Sequence, residues 1–245
     1  MDQRLQTACE GATIEYSPSG SSAGRADFIN NQVAFAGSDA AMESEELKQA
    51  AARCNAAPPI NVPMVGGAIA LTYNLEGVDN LVLTPDVTAK IFNSEITNWN
   101  DPAIAEINPD ATLPDAPIAQ FHRSDGSGTT DNFTQWLQAA AGDNWPYEAG
   151  SDWTAKGGQG SKGSDGVAAS VKSTPNSIGY VELSFVETQG LKAASVDNGG
   201  GAVAPTAETA TAGLAKAKLT PNADAGPGDM RSEEHTSELQ SPTII

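Results

Sequence analysis

The chain has 245 residues, 39% of them apolar, with 24 Gly and 15 Pro. This is enough for one large or two modest domains with a core, and it excludes a disordered chain. A net charge of −18 repels nucleic acid and anionic membrane at long range, so any small anion must be held by local donors. No apolar run reaches the ~18 residues of a membrane span, and no Lys/Arg-headed apolar segment opens the chain as a signal peptide would.

In chain order, Thr13–Tyr16 (TIEY) reads as a short strand, and SPSGSSAG follows as a turn. Ala23 to Asn30 is expected to open a helix, and Val33–Gly37 (VAFAG) reads as a buried strand. Ser38-Asp39 precedes AMESEELKQAAARC, an amphipathic helix with its acids early. INVPMVGGAIALTYN is an extended apolar run broken at Pro63 and Gly66-Gly67, a crossing segment between two lobes. TPDVTAKIF is a helix capped by Thr84 with Pro85 first, and DPAIAEINP repeats the device. APIAQFHR is a strand, and TTDNFTQWLQAAA after it a helix with Phe133, Trp136, Leu137 and Ala140 on one face. GGQGSKGSDG is a Gly-rich loop leading into the helix VAASVKS, and SIGYVEL is a further strand. NGGGAVAP is a loop, and TAETATAGLAKAKL a weak helix. Strands alternating with helices predict an α/β fold with largely parallel sheets.

Cys9 and Cys54 have no metal spacing. An exported protein could join them in a disulfide, whereas a cytosolic one would leave two thiols. The segment Arg231–Ile245 differs in texture from the rest and resembles an in-frame translation of a sequencing adaptor, so it is set aside from fold reasoning. Without it 12 basic residues (13 less Arg231) face 28 acidic ones (31 less Glu233, Glu234 and Glu238), a charge of −16. His122 is then the one remaining histidine.

Three loops share one construction, in which a strand ends, small polar residues follow and a helix begins. They are Ser19–Ala23, Gly37–Ala40 and Arg123–Thr129. In an open α/β sheet such loops gather at the carboxyl ends of the strands. The helix starts offer unpaired N–H groups and a partial positive charge, an anion site that needs no net positive charge. Gly126 and Gly128 let the backbone approach a ligand closely, Ser127 and Thr129 add hydroxyls, and Arg123 offers a fork matched to two oxygens of a tetrahedral oxyanion. Asp125 makes sense as the brace of Arg123. Asp39 has no basic neighbour in its loop. Its carboxylate accepts hydrogen bonds and donates none, so it tolerates an oxyanion only if that ion brings a proton. Phosphate does so at neutral pH and sulfate does not.

The ordered set GSSAG, FAGSDAAM, FHRSDGSGTTDNF, GSKGSDGVAASVK and SIGYVE resembles the substrate-binding protein of the bacterial high-affinity phosphate ABC transporter, from about Gly11 to about Pro205. The resemblance implies a two-lobed periplasmic-binding-protein fold (type II-like) that closes on phosphate. It implies contacts from Ser21, Asp39, Arg123, Asp125, Ser127, Gly128 and Thr129, and Ser21 rather than Ser22 rests on it alone. It implies a monomer, exported to the periplasm or held as a cell-surface lipoprotein, that serves membrane permease subunits and needs no metal or cofactor. Family members begin with a strand and a further phosphate-binding loop, and they end with strands returning to the first lobe. The chain is therefore expected to be truncated at both ends. Residues 1–65 would form a partial first lobe, 66–230 the second lobe and 231–245 a non-native tail.

Two other readings attach to the same residues. Taken alone, the Arg123–Thr129 loop is also a helix-capping turn with Ser127 or Thr129 as N-cap, Ser38-Asp39 is another such turn, and Ser19–Ser22 is a plain turn. GSSAG matches the nucleophile elbow of a serine hydrolase or phosphatase, with Ser22 as nucleophile and His122 as its base. GGQGSKG lacks the ending of a Walker loop, and Lys162 is expected at the surface. Trp99, Trp136, Trp145 and Trp153 are expected in the core, although stacking on a sugar or another small solute is a further alternative.

Overall fold

The computed structural model describes residues 14–216, 219–221 and 230–232. Cys9 and His235 lie outside these residues. Two helices come first, α1 (Ser21–Ile29) and α2 (Ser44–Arg53). Glu46 Oε2 accepts the Glu43 amide at 3.0 Å at the head of α2, and Glu45 and Glu46 face its positive end. Arg25 Nε lies 3.0 Å from both Glu46 oxygens, and Met42, Leu47 and Ala50 pack with Phe28 and Ile29 between the helices.

The strand expected at Val33–Gly37 is not formed, and that expected at Thr13–Tyr16 is not formed over its described residues 14–16, Thr13 lying outside them. Residues 14–16 and 33–37 are irregular, and Tyr16 and Phe35 are 70% and 66% exposed. Apolar alternation makes a strand only where a neighbour completes its amide ladder. None of the described strands pairs there.

After the irregular segment 58–68 come β1 (Ile69–Asn74), β2 (Val82–Leu83), α3 (Pro85–Phe92) and α4 (Pro102–Glu106). Both of these helices begin at proline behind a side-chain cap. Thr84 Oγ1 accepts the Val87 amide, and Asp101 Oδ1 accepts the Ala103 amide. Next are β3 (Ala119–Arg123), α5 (Gly128–Ala141), β4 (Gln159–Ser161), α6 (Gly163–Ser173), β5 (Ser177–Glu182) and α7 (Leu183–Gln189). The chain continues through β6 (Lys192–Ala193), β7 (Ser195–Val196) and α8 (Ala207–Leu214). Last is a pair of strands, β8 (Leu219–Pro221) and β9 (Met230–Ser232), so Arg231 and Ser232 of the segment set aside lie in a strand.

The main sheet has the order β4-β3-β5-β1-β6. It is mixed rather than largely parallel. β3 runs parallel to β4 and β5, but β1 is antiparallel to β5 and β6. A parallel neighbour needs a crossover packed on the sheet face. β1 is instead reached through the irregular segment and meets β5 in the opposite sense. A second correction concerns the Gly-rich loop, part of which forms edge strand β4.

The centre of the sheet is buried on both faces, as the SIGYVE pattern allows. Ile178 and Tyr180 join Leu71, Tyr73, Phe92, Phe133 and Leu137 on one side. Val181 joins Ala70, Phe121, Val167 and Val171 on the other. Gly179 is required there, because a Cβ would meet Val167 Cγ1 at 2.9 Å and Val171 Cγ2 at 3.0 Å. Trp99, Trp136 and Trp145 are core residues. No helix among the described residues is long and apolar enough to cross a membrane.

Candidate anion-binding cleft

β3 ends at Arg123, the chain turns, and α5 starts at Gly128. Ser127 Oγ caps that helix by accepting the Thr130 amide at 3.2 Å. The Gly128 and Thr129 amides have no acceptor within the helix and point out of its positive end. The capping role and a ligand role are thus divided within one loop.

The three loops expected to act together do meet. A Cβ on Gly128 would lie 2.7 Å from Ser21 Oγ and 2.8 Å from both Asp39 Cβ and the Ala40 amide nitrogen. A Cβ on Gly126 would lie 2.5 Å from Ser22 Oγ, and the Ser22 amide donates to the Gly126 carbonyl at 3.3 Å. Gly20 has φ of 97°, which lets α1 start beside Asp125, whose Oδ2 would lie 2.9 Å from a Cβ there. Ser21 Oγ accepts the Asp39 amide at 3.2 Å, and Asn132 Nδ2 donates to the Asp39 carbonyl at 2.9 Å. Glycines at 20, 126 and 128 are therefore the steric condition for the cleft.

Arg123 is held by the Asp125 carboxylate, with Nε to Oδ1 at 2.8 Å and Nη2 to Oδ2 at 2.6 Å. Its Nη1 donates to Ser164 Oγ at 3.1 Å, and Asp125 Oδ1 also accepts the Gly163 amide at 3.0 Å. Burial works against ionising Asp125. The hydrogen bonds from Arg123 and Gly163, with the guanidinium charge, outweigh it and hold the carboxyl below its ordinary value.

Asp39 is different. Much of its surface faces solvent, yet its carboxylate is crowded on one side by the Thr129 hydroxyl and Glu182. Burial of the carboxylate and the charge of Glu182 push its pKa up, against the Thr129 hydrogen bond and the more distant Arg123. The direction follows the carboxylate's own surroundings rather than the exposure of the residue. Thr129 Oγ1 lies 2.5 Å from Glu182 Oε1 and 3.2 Å from Asp39 Oδ2.

An aromatic layer supports the cleft from below. Phe133 stacks on Tyr180 with ring centroids 4.3 Å apart. Burial drives the Tyr180 phenol up to about 12, so it stays neutral. Its hydroxyl accepts the Arg123 amide at 3.2 Å and meets Thr130 Oγ1 at 2.7 Å. His122 stacks on Trp153 at 4.7 Å, and its Nδ1 lies 2.9 Å from the Arg123 carbonyl. Burial lowers its pKa, so the ring is neutral with the proton on Nδ1. Ser22 packs against Gly126 rather than toward this ring. Lys162 is exposed at the start of α6.

The structure thus brings Ser21, Asp39, Arg123, Asp125, Ser127, Gly128 and Thr129 to one place. Sequence reasoning missed Gly163, Ser164, Tyr180 and Glu182 as parts of it. The motifs SKGSDG and SIGYVE contain all four, but nothing local in them indicates where they point. Among the described residues no group of three or more His, Cys, Asp or Glu side chains could hold a metal ion.

A mixed sheet with loops gathered at the carboxyl end of β3 is a frame in which α/β proteins hold ligands. The chain belongs to the PBP superfamily, whose domain model matches residues 1–233. It is 43% identical over 218 residues to Phosphate-binding protein PstS 3 of Mycobacterium tuberculosis, covering 88% of this chain and 59% of that protein. It is 37% identical over 213 residues to Phosphate-binding protein PstS of Pasteurella multocida, covering 85% and 60%. The chain therefore spans about three fifths of the length of the curated relatives it matches. A Clostridium perfringens protein described as a phosphate ABC transporter substrate-binding protein, solved with bound phosphate, is similar in structure. It has a TM-score of 0.62 at 26% identity and covers 86% of this chain and 74% of that one. A periplasmic phosphate-binding protein of the DING type shares the fold, with a TM-score of 0.73 at 23% identity over 96% of this chain and 71% of that one.

Proposed function

We propose that this chain is the phosphate-capturing part of an exported solute-binding protein that serves an ABC permease. Residues 1–65 supply Ser21 and Asp39 from a first lobe, and residues 66–230 supply the Arg123–Thr129 loop from a second. The observation that carries this reading is the approach of Gly128 to Ser21 and Asp39, which assembles donors from distant parts of the chain around one helix start. Arg123, the amides of Gly128 and Thr129, and the hydroxyl of Ser21 are the groups that face a tetrahedral oxyanion. Asp39 meets it as an acceptor and so requires a proton on it. Ligand and permease both act by favouring the closed arrangement of the lobes over the open one.

The protein binds phosphate as a monomer and does no chemistry on it. The nucleophile reading needs Ser22 and His122 to meet, whereas Ser22 lies against Gly126 and the His122 ring is stacked on Trp153. Equilibrium dialysis against radiolabelled phosphate tests the proposal. One phosphate retained per chain and recovered unchanged is expected. No retention, or turnover of a phosphate ester together with labelling of Ser22 by a serine-reactive probe, would overturn it.

A further inference from the structure

Thr129 stands between two carboxylates that arrive from different parts of the chain. Asp39 lies in the loop before α2, and Glu182 closes β5. Asp39 Oδ2, Thr129 Oγ1 and Glu182 Oε1 form a row, with gaps of 3.2 Å and 2.5 Å. A row of three oxygens needs two protons to fill two gaps, and a threonine hydroxyl supplies one. The shorter contact takes that proton. The longer Thr129–Asp39 hydrogen bond is made only when Glu182 gives that proton up.

We infer that Glu182 is a specificity-determining residue. By taking the Thr129 proton it leaves the row one proton short, so the cleft prefers the more protonated form of its phosphate ligand. The inference rests on the phosphate reading above and adds to it the number of protons that enter with the ligand.

Other observations point the same way. Glu182 Oε2 is buried with no hydrogen-bond partner among the described residues. No cation forms an ion pair with Glu182 among these residues; the Arg123 guanidinium of β3, which feels its charge, is gripped by Asp125. The remaining groups around the row do not supply a proton either. Tyr180 of β5 is committed to Arg123 and Thr130, and His122 of β3 turns its Nδ1 to a backbone carbonyl. Burial, and after it the charge of Glu182, raise the Asp39 pKa, as expected where two carboxylates share one hydroxyl proton.

The test is isothermal calorimetry of inorganic phosphate on the full chain, repeated in buffers of different ionisation enthalpy and at rising pH. The unaltered chain is expected to gain roughly one proton per phosphate bound at alkaline pH, and to lose affinity by roughly tenfold per pH unit there. In Glu182→Gln the amide donates to Thr129 Oγ1, so the Thr129 hydroxyl turns to Asp39. Glu182→Ala removes the competing acceptor altogether. Both are expected to bind phosphate with less than about half that proton uptake and a correspondingly flatter pH profile. Binding by either variant with an unchanged proton count would overturn the inference. Failure of the unaltered chain to bind phosphate at any pH would overturn the phosphate reading as well, and the two failures are read from different samples.

Discussion

Asp125 holds the Arg123 guanidinium at two points, Nε at 2.8 Å and Nη2 at 2.6 Å, and Ser164 takes Nη1 at 3.1 Å. Three of the five donors of an arginine are thus committed, and the fork is fixed before any ligand arrives. The pair is well shielded, with side chains 7% and 17% exposed. Fixing the fork in advance reduces the ordering cost of binding.

Asp125→Ala leaves a buried guanidinium without its partner. A loss of about 3–5 kcal/mol in folding stability is expected, together with weakened anion binding. Urea unfolding at neutral pH reads the first and phosphate titration the second. A loss below about 1 kcal/mol would mean that solvent replaces the carboxylate.

The pH dependence follows from the same pair. The Asp125 carboxyl is held below its ordinary value. As pH falls, the unfolded chain takes up this proton before the folded one does. The contribution is therefore complete above the ordinary carboxylate pKa and is lost as pH drops through the lower folded value. Urea midpoints measured from about pH 6 to about pH 3 are expected to fall less steeply in Asp125→Asn than in the unaltered chain.

Gly128→Ala tests the approach of the loops. A methyl group there would sit under 3 Å from Ser21 Oγ, Asp39 Cβ and the Ala40 amide nitrogen. Alanine favours a helix more than glycine does, so α5 itself should not suffer. At least about a tenfold loss of anion affinity, roughly 1.4 kcal/mol, is expected with little change in thermal stability. Unchanged affinity would show that Ser21 and Asp39 are not needed near α5.

Asp39→Asn replaces an acceptor by a group that also donates. Sulfate, which brings no proton at neutral pH, is expected to compete with phosphate in this variant and not in the unaltered chain. Competition titration reads the difference, and equal selectivity in the two proteins would remove Asp39 from the proton-reading role.

Tyr180→Phe removes the hydroxyl that accepts the Arg123 amide and meets Thr130. The ring still stacks on Phe133, so the core is kept while a buried amide is left unsatisfied. A loss of about 1–3 kcal/mol is expected in chemical denaturation.

What the sequence revealed was what is local. Thr84-Pro85, Asp101-Pro102 and Ser127 declare their helix starts within four residues, and Arg123 and Asp125 stand two apart. The partners of Arg123 that sequence missed are distant. Ser164 is 41 residues away and Tyr180 is 57, while Glu182 is 53 from Thr129. Only the order β4-β3-β5 brings them together, and no periodicity encodes that order. The same limit explains VAFAG. Its alternation suits a strand, but pairing depends on a neighbour elsewhere in the chain. The antiparallel sense of β1 likewise depends on how the chain re-enters the sheet.

The central claim is that three loops of this chain make one phosphate site. Its most direct test is calorimetric titration of the full chain with inorganic phosphate, beside the same titration of Arg123→Ala and a competition with sulfate. One saturable site in the unaltered chain is predicted, with affinity lost in Arg123→Ala and no displacement by sulfate. The absence of saturable binding, an unchanged isotherm for Arg123→Ala, or equal displacement by sulfate would contradict it.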